Sequence, residues 1–472
     1  MANSKYNYLI QFFFGFCLLL VGLASPAQSF VETSGDANSI WQTIITFNTD
    51  DVASSYVLYK GFLSVYPYVW FYDISTYFGV DHFLFIRIYH AFLFAISAGV
   101  ALPYTISRVL CVKNKLIPSL IFMCVLLLLT WHTHIYTALM IDLPSFAFYS
   151  VAMSLVVMWV DIKSNKKKYL AIFVIGISFG MVFSGSGQYA LAGLILVAFF
   201  LYLFYKNMSQ KSIEIGMLIP LTLGVLLPKY ADYSFDKKIV APMRSSGEWI
   251  PTGIQWFASS MSRMMDSYKY GFPSVNNRGK SIMMDYLGDD FNERYELIKS
   301  GGSIFSPSEY LDLITTYTFD FLIIWFTKLF LALSFDGGEV RISHLVIAYT
   351  AVFVCMFYIV RTGGLFEAVK SRNFYLGASV LSTIAAPVFL HIEMRYSIAL
   401  IAYLICFATY FLISGVSDLI DGISNKNLTT SGLLNVLNIT AAWFIFILIC
   451  LSLYGAISET SSFEPTEILF KI

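Results

Sequence analysis

The chain is 472 residues long with 30 basic and 30 acidic side chains, 57% apolar and 13% charged, against roughly 25% charged in an average soluble domain. Its mean hydropathy of +0.69 excludes an ordinary soluble globular protein and points to one that crosses a membrane many times. The zero net charge leaves no basic surplus for nucleic acid or for a polybasic lipid tether.

A bilayer-crossing helix needs about 20 predominantly apolar residues. In chain order such runs lie near 8–26, 84–106, 116–132, 142–160, 169–185, 189–205, 214–228, 345–360, 375–392, 397–414 and 435–456, eleven in all. The first imitates a secretion signal, with Lys5, an apolar stretch and the small-residue site SPAQ. Because many spans follow, it is read as an uncleaved first helix. The expected fold is all-α, a polytopic transmembrane bundle of eleven spans with further helices lying on its outer face. The six cysteines carry no metal-binding spacing and read as small hydrophobes.

Charge decides the status of a twelfth run, TFDFLIIWFTKLFLALSF at 318–335. Lys and Arg concentrate in the connections SRVLCVKNK, DIKSNKKK, KNMSQK and RTGGLFEAVKSRNF, which the positive-inside rule assigns to the cytoplasm. From a cytoplasmic N-terminus the first three fall inside directly, and the fourth does so only if 318–335 does not cross. Asp320 and Lys328 within that run would each cost ~2.5–3.5 kcal/mol at the bilayer centre. The run is therefore expected to lie in the outer interface or to dip into the bundle. Three parts follow: an N-terminal module over 1–228 with its first outer loop at 27–83, an outer segment over 229–344, and C-terminal helices over 345–472.

The first outer loop contains FNTDDVASSYVLYKGFLSVYPYVWFYDIS. Asp50 and Asp51 precede a Tyr-, Trp- and Phe-rich stretch suited to the headgroup layer. A carboxylate within reach of an acceptor hydroxyl can act as general base in sugar transfer, and a pair of carboxylates can hold a divalent cation such as Mg or Mn through oxygen. Asp51 also opens a helix-compatible run, where it would serve as an N-terminal cap. Asp36, in TSGDANS, is a further candidate acid, with a turn or cap role as its alternative.

At the other end of the chain, HIEMRYSIALIAYLI sets His391, Glu393, Arg395 and Tyr396 against the start of an apolar helix. Charges at the rim of a span either pair or serve a polar ligand. The guanidinium fork of Arg395 matches phosphate oxygens, and at that depth the phosphate would belong to a lipid carrier; snorkelling towards headgroups is the alternative. Weaker signals are Arg87 and His90 one turn apart, His132, His134 and Asp142 near two outer helix ends, and the turn Ser184–Gln188, which lacks the lysine of a phosphate loop. The outer segment mixes Lys, Arg, Asp and Glu with Trp249, Trp256, Tyr268 and Tyr270, a composition that suits carbohydrate and a solvated surface alike.

An acidic first outer loop carrying TDDVASSYVLYKG, many spans, a long late outer segment and the late-helix EMRY together resemble the GT-C superfamily of polytopic glycosyltransferases. Within it the likeness is to bacterial enzymes that decorate O-antigen and other surface glycans, serotype-converting glucosyltransferases included. The resemblance implies a polyprenyl-phosphate sugar donor, a glycan or lipid-linked acceptor, and transfer on the periplasmic face of the inner membrane. It makes Asp50 or Asp51, or Asp36 in their place, the catalytic acid, and Arg395 a contact to the donor phosphate. Two other readings stay open. A polysaccharide polymerase or ligase would rely on arginines in large outer loops, and a flippase or transporter would place ionisable groups near the mid-plane of several helices.

Overall fold

The computed structural model describes residues 2–24, 35–47, 62–112, 115–131, 135–136, 139, 141–159, 161–162, 164–206, 216–241, 245, 281–282, 284–290, 307–333, 342–362, 372–385, 388, 397–424 and 430–459. Among these residues every regular element is a helix. Among the described residues eight helices are long and apolar enough to cross a membrane: Tyr6–Leu23, His82–Val109, Asp142–Trp159, Lys166–Ser184, Gln188–Lys206, Ile342–Arg361, Ile398–Gly415 and Val436–Ile457. The chain is thus a multi-pass membrane protein, all-helical among the described residues.

Three of the eleven expected spans fall on helices outside that set. Leu116–Thr130 has 15 residues. Leu218–Phe235 runs into the polar sequence PKYADYSF. Arg372–Ser382 has 11 residues and stops where Ser382 Oγ bonds the Ser379 carbonyl and Thr383 Oγ1 the Val380 carbonyl, both at 2.7 Å. Such side-chain bonds to the last carbonyls compete with continuation of the helix.

The chain divides into two compact units, 1–251 with 366–383, and 252–365 with 384–472. The first unit holds α1 (Ala2–Leu23), α2 (Gly35–Thr46), α3 (Phe62–Phe78), α4 (His82–Phe94), α5 (Leu102–Val109), α6 (Leu116–Thr130), α7 (Asp142–Trp159), α8 (Asn165–Ser184), α9 (Gln188–Lys206) and α10 (Leu218–Phe235), joined by the late helix Arg372–Ser382. Between α4 and α5 the backbone widens into a π-turn over Ala95–Ala101. Pro103 in the first turn of α5 can give no N–H to the carbonyl four residues back, and such a loss is commonly absorbed by a π-bulge. Gly99 sits in the bulge, where a Cβ would lie 3.0 Å from the Gln11 carbonyl, so α1 packs backbone against backbone.

The tightest pair is α8 with α10. A Cβ at Gly176 would collide with the Leu221 carbonyl, one at Gly224 with the Phe173 carbonyl, and one at Gly180 would come within 2.7 Å of the Val225 carbonyl. The Gly-x-x-x-Gly spacing on α8 lets the two backbones touch, which is how helices associate where lipid removes the hydrophobic drive. At the end of this pair Lys229 Nζ donates to the Phe183 carbonyl at 2.8 Å, answering one of the orphan carbonyls of the α8 terminus.

Basic residues gather at one end of this unit. Arg108 pairs with Asp161 at 2.7 Å, Lys115 Nζ donates to the Tyr8 hydroxyl at 3.0 Å, and Lys168 lies over the Trp159 ring at 5.4 Å. Three of the basic connections thus share this end with the start of α1. The late helix begins here too, its Tyr375 stacked on Phe199 at 5.2 Å and on Tyr202 at 6.0 Å, one turn from Lys206.

The second unit contains α11 (Pro307–Thr316), α12 (Thr318–Leu333), α13 (Ile342–Arg361), and, following the late helix, now α14 (Arg372–Ser382), the long α15 (Ile398–Ser424) and α16 (Thr430–Glu459). Leu331, Leu345, Tyr349, Ile447, Cys450 and Tyr454 form its core, and Trp443 Nε1 donates to Thr350 Oγ1 at 3.1 Å. Helices α11 and α12 meet at a 98° bend. One face of α12 buries Phe321, Ile324, Lys328 and Leu331, while Phe319, Leu322 and Phe326 on the other are exposed. An apolar exposed face suits contact with acyl chains.

Candidate functional site

Of the expected site residues, Asp50, Asp51, His391, Glu393, Arg395 and Tyr396 lie outside the described residues, as do His132 and His134. Asp36 is the second residue of α2. Among the described residues no three His, Cys, Asp or Glu side chains group as metal ligands would. The site is therefore built from what surrounds the acid-bearing segment: α2 and α3 on either side of residues 48–61, and the helix ends on which they rest.

Those helices sit at the end of the first unit opposite the basic connections. Helix α3 runs back along α4, so Tyr68 meets His90, and Ser75 Oγ donates to the His82 carbonyl at 3.4 Å. His90 is fully buried. Its Nδ1 lies 2.8 Å from the Tyr136 carbonyl, which can only accept, so Nδ1 carries the proton. Nε2, bare in the neutral ring, then accepts from the Tyr68 hydroxyl at 3.0 Å. The Tyr136 hydroxyl donates in turn to Thr130 Oγ1 at 2.8 Å, and Thr130 to the Leu126 carbonyl at 2.6 Å. Burial pushes the Tyr136 phenol well above its ordinary range, which keeps its proton in place for that bond.

Around this chain stands a tier of rings. Trp41 of α2 stacks on Phe83 at 4.6 Å and meets Tyr72 edge-on at 5.7 Å; Tyr72 stacks on His82 at 4.6 Å. Further along, Phe47 packs on Tyr66 at 5.6 Å and Tyr66 on Phe235 of α10 at 5.3 Å. Both ends of the undescribed segment are thereby fixed: the chain leaves at Phe47 and returns at Phe62, one turn before Tyr66. Asp81 caps α4 by accepting from the Phe83 N–H at 3.1 Å and pairs with Arg87 at 3.2 Å, so the Arg87 signal is structural. Trp70, Tyr77 and Phe78 are exposed, as aromatics at a headgroup layer would be.

His90 has both ring nitrogens engaged in holding α3, α4 and the 135–136 turn together, and so acts as a brace rather than a proton acceptor. What sequence reasoning missed is the depth of α3, because its aromatic composition reads as surface, and the Tyr68–His90 contact between the two arms of a helical hairpin. Comparisons with family models, curated proteins and solved structures return no match.

Proposed function

We propose that the chain is an integral-membrane glycosyltransferase of the GT-C type, which moves a sugar from a polyprenyl-phosphate donor to a surface glycan such as O-antigen, or to a lipid-linked acceptor. The supporting observation is the anchoring of Phe47 and Tyr66, on either side of Asp50 and Asp51, at the end of the first unit opposite its basic connections. By the positive-inside rule that end faces away from the cytoplasm, which for a bacterial inner membrane is the periplasm.

In this reading the acceptor oxygen attacks the anomeric carbon as the bond from that carbon to the phosphate oxygen breaks. The hydroxyl proton passes to the carboxylate of Asp50 or Asp51, with Asp36 as the alternative acid, and the lipid phosphate departs as an anion. The reading assigns neutralisation of that developing charge, the larger electrostatic demand of the step, to Arg395, with His391, Glu393 and Tyr396 as further candidates for donor binding. A divalent cation, Mg or Mn, held by the first-loop acids would supply further neutralisation of phosphate.

The test is transfer in membranes supplied with purified polyprenyl-phosphate sugar. Arg395→Ala and the Asp50→Asn/Asp51→Asn double variant should each lower turnover by ~10²–10³, with the protein still inserted. Near-normal transfer by both would end the assignment, and an unchanged rate in chelator would remove the cation.

A further inference from the structure

At the same end of the first unit, α7, α8 and α9 bring together a buried polar cluster that the transferase chemistry does not use. Asp142 opens α7, Ser184 closes α8, and Gln188 and Tyr189 open α9; their exposures are 3%, 5%, 7% and 0%. The Gln188 amide and the Asp142 carboxylate lie near the Tyr189 hydroxyl without completing a hydrogen bond to it. The turn between α8 and α9 is pinned by Ser145, whose Oγ accepts from the Ser186 N–H at 2.9 Å, and only a glycine fits at 185, where a Cβ would stand 2.6 Å from that oxygen. Behind it the Tyr149 ring packs on Tyr189 at 5.4 Å. The Ser379 hydroxyl, which accepts from Tyr149 at 2.7 Å, spends its proton on the Ala192 carbonyl at 2.8 Å.

Tyr149 and Ser379 are thus satisfied, but the front of the cluster is not. Ser184 Oγ, both Oε1 and Nε2 of Gln188, and the Tyr189 hydroxyl are buried without a hydrogen-bond partner. Buried polar atoms are nearly always paired, and an unpaired group weakens the fold by the full loss of its hydration. Four such atoms on two adjacent helix ends, on side chains more than nine-tenths buried, mark groups kept for something that supplies the missing bonds.

The chemistry of the four defines what that is. A primary amide presents two donors and an acceptor, and each hydroxyl donates and accepts, so the cluster calls for groups that do both. Asp142 disfavours an anion, and Lys229, which reaches the neighbouring Phe183 carbonyl, is committed there and to Asp232 at 3.5 Å. We propose that Ser184, Gln188 and Tyr189, with Asp142, form a binding site for a neutral polyhydroxylated group of the kind a hexose presents. The inference rests on α7–α9 alone and would stand if residues 50, 51 and 395 proved inert.

The test uses the full chain in lipid nanodiscs, free of sugar-headed detergent, with the methyl glucosides and methyl galactosides as probes and methyl phosphate as the anionic control. Saturation-transfer NMR should detect at least one glycoside on the wild type and no methyl phosphate, with at least about five-fold less transfer in Gln188→Leu. Tyr189→Phe, which preserves ring shape, should behave likewise. Because the groups removed have no protein partner, both variants should unfold at or above the wild-type midpoint. The proposal is overturned if no glycoside shows transfer, if transfer survives in both variants, if methyl phosphate binds equally, or if the variants unfold well below wild type while transfer is kept. None of these outcomes depends on sugar transfer being catalysed, so failure here leaves the transferase reading where it was.

Discussion

The Tyr68 hydroxyl and His90 Nε2 lie 3.0 Å apart in the interior, and this bond ties the returning helix of the first outer segment to the start of a membrane span. Tyr68→Phe deletes the donor while leaving a neutral ring nitrogen unmet, and should lower stability by ~1–3 kcal/mol. His90→Ala also opens a void and frees the Tyr136 carbonyl, and should cost more, about 3 kcal/mol or above. Thermal unfolding in detergent checks the order of the two. Limited proteolysis should cut residues 48–61 faster in His90→Ala than in wild type; equal cutting rates would show that the brace does not restrain that segment.

The α8–α10 contact makes a sharper claim, because backbone rather than side chain receives any added atom. Gly176→Leu and Gly224→Val each place a branched group against a carbonyl of the partner helix and should lower the unfolding midpoint or abolish insertion. Overpacking of this kind costs ~1–3 kcal/mol where side chains can yield, and backbone yields less. Gly187→Ala is the control, since nothing lies within 4 Å of a Cβ there, and it should match wild type.

Lys229 offers a milder case. Lys229→Met keeps the aliphatic stem against the helix but leaves the Phe183 carbonyl without its donor, and should lower stability by ~1 kcal/mol, while Lys229→Arg should retain most of it. Equal losses in both variants, read from the unfolding midpoint, would place the effect in packing rather than in the cap.

How far the fold was legible differs from element to element. The long apolar runs at 142–160, 169–185 and 189–205 returned as α7, α8 and α9 within a few residues because continuous apolarity needs no context to be read. The run at 116–132 shortened to 15 residues, since its flanks Lys115 and Trp131 are as compatible with a helix end as with its continuation. The aromatic stretch after Tyr66 gave no hint of a partner: Tyr68 finds His90 only through the hairpin, a contact across 22 residues that periodicity does not encode. Gln188 shows the same limit, being an ordinary polar residue at a helix start until its burial is known. Asp50, Asp51 and Arg395 lie outside the described residues, and Asp36 is found at the start of α2.

The ends of two helices in the first unit carry the last prediction. Helix α10 finishes at the end opposite the basic connections, where Phe235 packs on Tyr66. Helix α14 starts at the basic end, where Tyr375 stacks on Phe199. An odd number of crossings must therefore separate residue 235 from residue 372. Helix α13 supplies one, with a mean hydropathy of 2.0 over its window; a crossing by α12 would make the count even. The 98° bend before α12, its acidic first turn at Asp320 and its buried Lys328 agree with a helix that enters the interface and does not traverse. Single cysteines placed at Ser308 and at Ser343, in a chain whose six native cysteines are replaced, should both react with a membrane-impermeant maleimide from the outside. A cysteine at Thr362 should react only after the membrane is opened. Labelling of residues 308 and 343 from opposite sides would show that α12 crosses and would invert every helix that follows it.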